Sequence, residues 1–459
     1  MAAKGTPCSL IVAAKPDQRS GKAVAAAVIL RFEWRALRRR RSIFALGQQV
    51  IPMQIKALSA VPEQVSYDVI IIGGAIMGSS VAWFLTENPD FNGSVLVIER
   101  DPTYRNAATT LTCSCIRQQF SHPLNVQISQ FTADFVQTLR QRMGNDPRVP
   151  DLKVQNFGYM YLADTEAFAN VLRDNQKVQR SVGAQTVLLT AAEIAAAYPF
   201  YHLDDILLGS INRKDEGYFD GSTLFQWFRR SARERGVAYV TNEVVALTRN
   251  PAGTRVESVT LRSGQVIACG QLVNAAGTRG AAVAAMAGIR LPVAPRKRYI
   301  WIIEAETPLD RELPLTIDPT GVHMRENGGG TYMIGGHPDH DPDVDPDDFT
   351  MDHSLWQDHI WPVVATRIPA FEAVRVTSEW AGQYDFNVLD QNAIAGPHAI
   401  VSNFLFLNGF SGHGLQQSPG MGRGTAEWLT HGRYHSLDLS PLHHDRVTGN
   451  RPLIEKAII

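Results

Sequence analysis

The 459-residue chain is 44% hydrophobic and 19% charged, with 36 Gly and 25 Pro, which excludes collagen-like and disordered classes and suits two or three globular domains of roughly 150 residues each. Lys plus Arg total 44 against 45 Asp plus Glu, a net charge of -1 that carries no nucleic-acid signature. Four cysteines, Cys8, Cys113, Cys115 and Cys269, are too few for a disulfide scaffold and form no CxxC pair for zinc; no metal is expected, and a reducing compartment fits.

The charge is unevenly placed. Residues 1–66 hold eleven basic side chains, including the run at 38–41, against three acidic ones. The rest of the chain is mildly acidic. The apolar run at 23–30 is far shorter than the roughly 20 residues that span a bilayer, so no transmembrane segment is expected. Residues 1–66 read as a basic, disordered extension, with Met53 as an alternative start, and the protein as cytoplasmic. The alternative is the mitochondrial matrix, with residues 1–52 as a transit peptide.

The texture changes at Tyr67. Asp68-Val-Ile-Ile-Ile72 is a β-branched run of the kind buried on both faces of a parallel sheet, and Gly73-Gly-Ala-Ile-Met-Gly78 follows at once. A helix is expected over 79–86 and a second strand over 94–98, ending in Glu99. That carboxylate stands 21 positions beyond Gly78, close to the spacing of about 20 for a group that binds a ribose hydroxyl. In this pattern one glycine turns the chain, a small residue lets backbone approach a pyrophosphate, and the helix N-terminus offers N–H groups to phosphate. Ala75 stands where the middle glycine belongs. Its methyl is tolerated if Ala75 keeps a negative φ. The unit predicts dinucleotide binding but does not separate FAD from NAD.

Two later stretches bear on that choice. Strands are expected over 244–247 and 271–274, with a polar hairpin between them, closing on the small-residue turn Asn274-Ala-Ala-Gly277 as the chain returns to the first sheet. Helices are expected over 127–139 and 224–235. Further on, Phe404-Leu-Phe-Leu-Asn-Gly-Phe-Ser-Gly-His-Gly-Leu-Gln-Gln-Ser-Pro419 reads as a strand entering a glycine-rich loop, with Ser418-Pro419 as N-cap and first helical residue. A second helix N-terminus, with His413 beside it, suits a flavin, whose reduced anionic ring gains from N–H groups and a helix dipole. A nicotinamide enzyme has no evident need for it.

Together, residues 67–100, the block Ala108-Thr-Thr-Leu-Thr-Cys-Ser-Cys-Ile-Arg-Gln-Gln-Phe-Ser121, the turn at 272–277 and Gly409-Phe-Ser-Gly-His-Gly-Leu-Gln-Gln-Ser-Pro419 resemble the D-amino-acid oxidase and sarcosine oxidase superfamily of FAD enzymes. The resemblance is nearest to the FAD-dependent oxidoreductase domain-containing proteins, whose animal member assists assembly of respiratory complex I. It implies an α/β fold, a glutathione-reductase-like FAD-binding Rossmann domain interleaved with an α+β substrate domain built on a mixed, largely antiparallel sheet. The implied division is 67–150, 215–290 and 375–435 for FAD, 151–214 and 291–374 for substrate, and 436–459 as a tail.

The implied reaction is oxidation of the C–N bond of a small amine or amino acid by hydride transfer to flavin N5, with oxygen or an electron-transfer partner as acceptor. An FAD-binding assembly factor with little turnover is the alternative, and a colourless NAD-dependent dehydrogenase a third. By the same resemblance, Gly73, Gly74, Ala75, Met77, Gly78, Glu99 and Arg100 form the ADP-binding set. Thr109, Thr110 and Arg117 lie where the chain passes the pyrophosphate and flavin, and Val244, Ala276 and Gly277 form the second pass. Gly412, His413, Gly414, Leu415 and Gln416 form the loop over the flavin's pyrimidine edge. Some members carry a lysine at the position of Gln416. Some also carry a flavin-attaching cysteine in the segment matching 380–384, which has none here, so noncovalent FAD is expected and Cys113 and Cys115 read as packed small residues.

A substrate carboxylate calls for a guanidinium, and the candidates are Arg117, Arg298 and Arg325. His413 with Arg117 and Arg325 makes up the candidate catalytic set. Tyr299, Trp301 and Tyr332 read mainly as core, and His443-His444 as part of a solvated tail.

Overall fold

The structure, a computed structural model, describes residues 58–456. The readings of the leader, its arginine run and Met53 as a start lie outside the described residues. The β-branched run forms the strand Ser66–Ile72 at the centre of an eight-stranded sheet. Its alternate residues enter separate cores: Val69 and Ile71 pack on one face, Ile70 and Ile72 on the other. Burial on both faces is why the run lacks polar alternation. Each buried isoleucine contributes about 1.5–3 kcal/mol.

Across this sheet the order is Ile394–Pro397, Phe404–Asn408, Val266–Asn274, Ser66–Ile72, Val95–Glu99 and Ala238–Thr241. All neighbours run parallel except the antiparallel edge strand Ile394–Pro397. The polar hairpin expected over 255–266 turns Val256–Leu261 antiparallel onto Val266–Asn274, and Val244–Arg249 pairs antiparallel on its outer side. Four helices share the core on one face: Ile76–Glu87, here the elbow helix, lies against Gly221–Glu234 and the closing helix Gly414–His431, and Pro123–Gln137 also packs on the closing helix. Trp83 of the elbow helix seals the layer, its ring 5.5 Å from Phe135 and 5.5 Å from Phe228.

The second sheet is mixed and largely antiparallel, in the order Val374–Asn387, Val293–Ala305, Thr331–Gly336, His323–Gly328, Leu315–Ile317, Tyr159–Ala163, Leu208–Asn212 and Val187–Leu189. Its one parallel pair joins Leu315–Ile317 to Tyr159–Ala163. Tyr299, Trp301 and Tyr332 lie in the core of this sheet.

The structure differs from the sequence reading at several boundaries. Residues 58–66 are not a disordered extension: Ser59 bridges Val240, and the Val65 carbonyl accepts from Ala268 N at 2.9 Å. Strand Val374–Asn387, expected to open the last FAD-domain segment, pairs along its length with Val293–Ala305 in the second sheet. The tail packs too. His444 is 2% exposed, stacks on Phe406 at 4.6 Å and bonds the Arg290 carbonyl at 2.9 Å. Arg446 forms a buried ion pair with Asp390 at 2.7 Å. Glu455 accepts from Ser121 N at 2.7 Å and from the Asn125 amide at 3.2 Å. A buried carboxylate holds such a position only when hydrogen-bonded, so this segment belongs to the folded body.

No helix among the described residues is long and apolar enough to cross a membrane.

Candidate functional site

Strand Ser66–Ile72 ends at Gly73, where φ is +101°, and a Cβ there would lie 2.3 Å from the Ala275 carbonyl oxygen. Only glycine fits on both counts. At Gly78 the constraint is close approach, since a Cβ would lie 1.9 Å from Gly73 O. Gly74 N–H donates to Glu99 Oε2 at 2.8 Å, and Asp101 N–H to Glu99 Oε1 at 2.8 Å. Burial pushes the Glu99 carboxyl up, and these two N–H groups oppose that shift. Ala75 has φ −67° and ψ −166°, the negative φ its methyl requires. It supplies no side-chain cap, so the helix beginning at Ile76 keeps first-turn N–H groups for an anion. Ile76 N–H reaches Thr109 Oγ1 at 3.3 Å.

The closing helix starts at Gly414, with His413 as an N-cap whose side chain makes no capping hydrogen bond, not at Ser418-Pro419 as expected. Pro419 sits inside the helix, where it lacks the N–H that would serve Leu415 O. Ser418 Oγ donates to that carbonyl at 2.9 Å, which replaces the lost bond. The two helices are tied together by Ser80 Oγ, which donates to Ser418 O at 2.7 Å.

Both helix N-termini open on one cleft between the two sheets. Its cavity volume is about 310 Å³, at the lower end of the roughly 300–1,000 Å³ of a small-ligand pocket. Of the residues singled out for the cofactor, Gly73, Ala75, Met77, Glu99, Arg100, Thr109, Val244, Ala276, Gly277, Gly412, Gly414 and Leu415 line it. Gly74 and Gly78 lie just beneath the elbow. Thr110 is exposed and absent from the wall. The N–H donors of the two helix starts, with Glu99 on the same wall, fit a dinucleotide.

The candidate catalytic set is placed differently from expectation. Arg117, His413 and Gln416 form a buried cluster behind the closing helix and contribute nothing to the cleft wall. Arg117, 1% exposed, approaches His413 Nε2 at 2.6 Å and lies 4.1 Å from the centre of the Phe120 ring. Its backbone N–H donates to Gln416 Oε1 at 2.9 Å. Burial and the neighbouring guanidinium hold the His413 pKa well below the usual histidine range. The neutral ring accepts from Arg117, so His413 is a structural acceptor, not a base facing the cleft. Arg325 is also committed to backbone: Nη2 donates to Cys113 O at 3.0 Å and Nη1 to Glu326 O at 2.6 Å. Of the three candidate arginines Arg298 alone lines the cleft, and its fork is filled by Asp341 at 2.9 and 3.0 Å.

Asp341 belongs to an acidic strap, residues 339–348, that sequence reasoning missed. Asp343 pairs with Arg296 at 3.0 Å, Asp348 with Lys297 at 2.6 Å, and Asp347 with both Arg100, at 2.8 Å, and Arg279. Gln383 Nε2 donates to the carbonyls of Asp345 and Asp348 at 2.8 and 2.9 Å. Pro346 and Asp347 thereby become part of the cleft wall. The alternating acids were visible in sequence, but their basic partners lie far away in the chain. Tyr104, Asn242 and Tyr384 on the wall carried no motif. Among the described residues no three His, Cys, Asp or Glu side chains converge to hold a metal ion.

The family model for FAD dependent oxidoreductase, DAO, matches residues 68–428. FAD-dependent oxidoreductase domain-containing protein 1 of Xenopus laevis is 36% identical over 424 residues, covering 85% of this chain and 85% of that protein. Mouse mitochondrial sarcosine dehydrogenase is 22% identical over 433 residues, covering 89% of this chain and 46% of the relative. Among solved structures, L-proline dehydrogenase from P. horikoshii superposes with a TM-score of 0.73 at 24% identity, covering 85% of this chain and 100% of that one. A glycine elbow, a distant second helix N-terminus on the same cleft and a family match across both sheets agree: the chain belongs to the DAO family of FAD-dependent oxidoreductases.

Proposed function

We propose that the protein oxidises the C–N bond of a small amine or amino acid of the sarcosine, dimethylglycine or D-amino-acid type, using noncovalently bound FAD. The observation that carries this reading is the shared cleft, with two helix N-termini opening on a single ligand-sized space. When bound, FAD supplies a two-electron acceptor. The backbone around Gly73, Ala75 and Gly277 would hold the pyrophosphate half, with Glu99 at a ribose hydroxyl. Free N–H groups at the start of the closing helix would stabilise negative charge at the other end. Arg117 and His413 act as positioning residues that fix where that helix begins. The cleft needs no side-chain base if the amine loses its proton to solvent before entry. The names of the sarcosine dehydrogenase and L-proline dehydrogenase relatives favour a secondary amine. The mitochondrial address of the former favours the matrix alternative for residues 1–52.

The test is anaerobic mixing of the yellow protein with sarcosine, dimethylglycine, proline and D-amino acids. Bleaching by any of them supports the enzyme. Flavin that dithionite reduces and no amine does would overturn it. One observation favours the second reading, an FAD-binding assembly factor for a respiratory complex: Arg117, Arg298 and Arg325 are all engaged within the protein, and Gln416, where some family members carry a lysine, accepts from the Arg117 backbone N–H.

A further inference from the structure

The segment leading into the short strand Cys115–Ile116 brings two thiols together at the edge of the cleft. Cys113 lines the cleft, and the Cys115 thiol turns back to the Cys113 carbonyl, with Sγ 3.3 Å from that oxygen. Ser114, between them, has φ +53°, a left-handed conformation that is strained for a non-glycine residue. Several contacts hold this bend. The Ser114 carbonyl accepts from Phe219 N at 3.2 Å, Ser114 N–H donates to Thr112 Oγ1 at 3.1 Å, and Arg325 grips the Cys113 carbonyl at 3.0 Å. The bend is thus fixed by one local contact and by two other segments.

From this placement we infer that Cys113 and Cys115 are a redox-active dithiol, oxidised to an intramolecular disulfide by a hydroperoxide that enters through the cleft. In the first step the Cys113 sulfur attacks the peroxide O–O bond. An S–O bond forms, the O–O bond breaks, and the departing oxygen takes up the thiol proton and leaves as water or alcohol. In the second step Cys115 sulfur attacks the Cys113 sulfenic sulfur. The S–S bond forms, the S–O bond breaks, and the hydroxyl leaves as water with the Cys115 proton. The dithiol is oxidised by two electrons and the peroxide is reduced by two.

The division of labour follows from the surroundings. The Cys115 thiol, the buried His323 ring and Arg325 favour the Cys113 thiolate against the opposing effect of burial, whereas burial and the adjacent Cys113 hold Cys115 protonated. Cys113 is the attacking thiol and Cys115 the resolving one. Cys269, the third cysteine among the described residues, is buried in the core of the first sheet with a raised pKa and takes no part. This inference does not depend on amine oxidation.

The test uses the purified full-length holoprotein, treated with hydrogen peroxide, quenched with N-ethylmaleimide and digested with trypsin. Both thiols fall on one peptide, between Arg105 and Arg117. That peptide is expected to become about 2 Da lighter and to lose both maleimide labels, reversibly with dithiothreitol, while Cys269 keeps its label. Cys115→Ser is expected to stop at a sulfenic acid that dimedone traps, and Cys113→Ser to stay inert. Two labels retained after peroxide in the wild-type protein would overturn the inference whether or not either variant folds. So would oxidation of Cys113 to sulfinic acid without a disulfide, or a disulfide to Cys269.

Discussion

Gly73→Ala probes the elbow most sharply. At φ +101° an alanine is strained by about 1–3 kcal/mol, and its Cβ would lie 2.3 Å from Ala275 O. That carbonyl cannot simply retreat, because Ala275 N–H is bonded to Ile72 O at 2.9 Å across the sheet. Overpacking of this kind costs a further 1–3 kcal/mol, roughly. The expected loss of stability is therefore about 2–6 kcal/mol. Ala275 and Ala276 line the cleft, so any relief of the clash moves the cofactor wall, and FAD affinity is expected to fall at least about tenfold, the equivalent of about 1.4 kcal/mol. Ala75→Gly is the control: φ there is already −67°, and removing the methyl is expected to leave affinity within about threefold. Urea unfolding gives the stability and titration of apoprotein with FAD gives the affinity. A Gly73→Ala protein that matches wild type in both would refute the geometric argument.

Asp347→Ala removes the pairings to Arg100 and Arg279. At about 0.2–1 kcal/mol per exposed pair, FAD dissociation followed by fluorescence is expected to quicken about two- to thirtyfold and to lose part of its salt dependence; an unchanged rate would mean the strap does not retain cofactor. His413 is held neutral in the fold. As pH falls below 6.5, its ordinary value, the unfolded chain takes a proton that the folded one refuses, so stability is lost toward lower pH. In His413→Asn that component of the slope should vanish in urea titrations across pH, and a slope identical to wild type would contradict the assignment. Arg117→Met leaves His413 Nε2 and Gln119 O without their donor and is expected to cost about 3–5 kcal/mol and to weaken FAD binding; loss of turnover alone, with binding and stability intact, would instead make Arg117 a substrate contact. A fusion of residues 1–52 to a fluorescent protein should enter mitochondria under the matrix alternative, and a diffuse cytoplasmic signal would count against it.

The parts of the site that could be read from sequence are those set by short-range backbone geometry. Gly73, Ala75, Gly78 and Glu99 belong to one strand-turn-helix-strand unit whose conformations and spacing are local, so their place in the fold could be read in advance. Side-chain destinations were not legible in the same way. Arg117, Arg298 and Arg325 each had the chemistry to bind a carboxylate, but whether a guanidinium faces a ligand or a neighbour depends on partners as distant as Asp341 and His413. Pro419 misled because proline usually marks a helix start. Here a serine hydroxyl repairs the interior position, which only the three-dimensional structure displays. The last residues look polar and tail-like, yet Arg446 and Glu455 each find a buried partner contributed by another segment.

The most direct test of the cleft as an FAD site is the absorption spectrum of the purified protein before and after acid precipitation. A flavin spectrum near one equivalent per chain, released into the supernatant as FAD, is the predicted result. A colourless protein that takes up no added FAD, or colour that stays with the pellet, would contradict it.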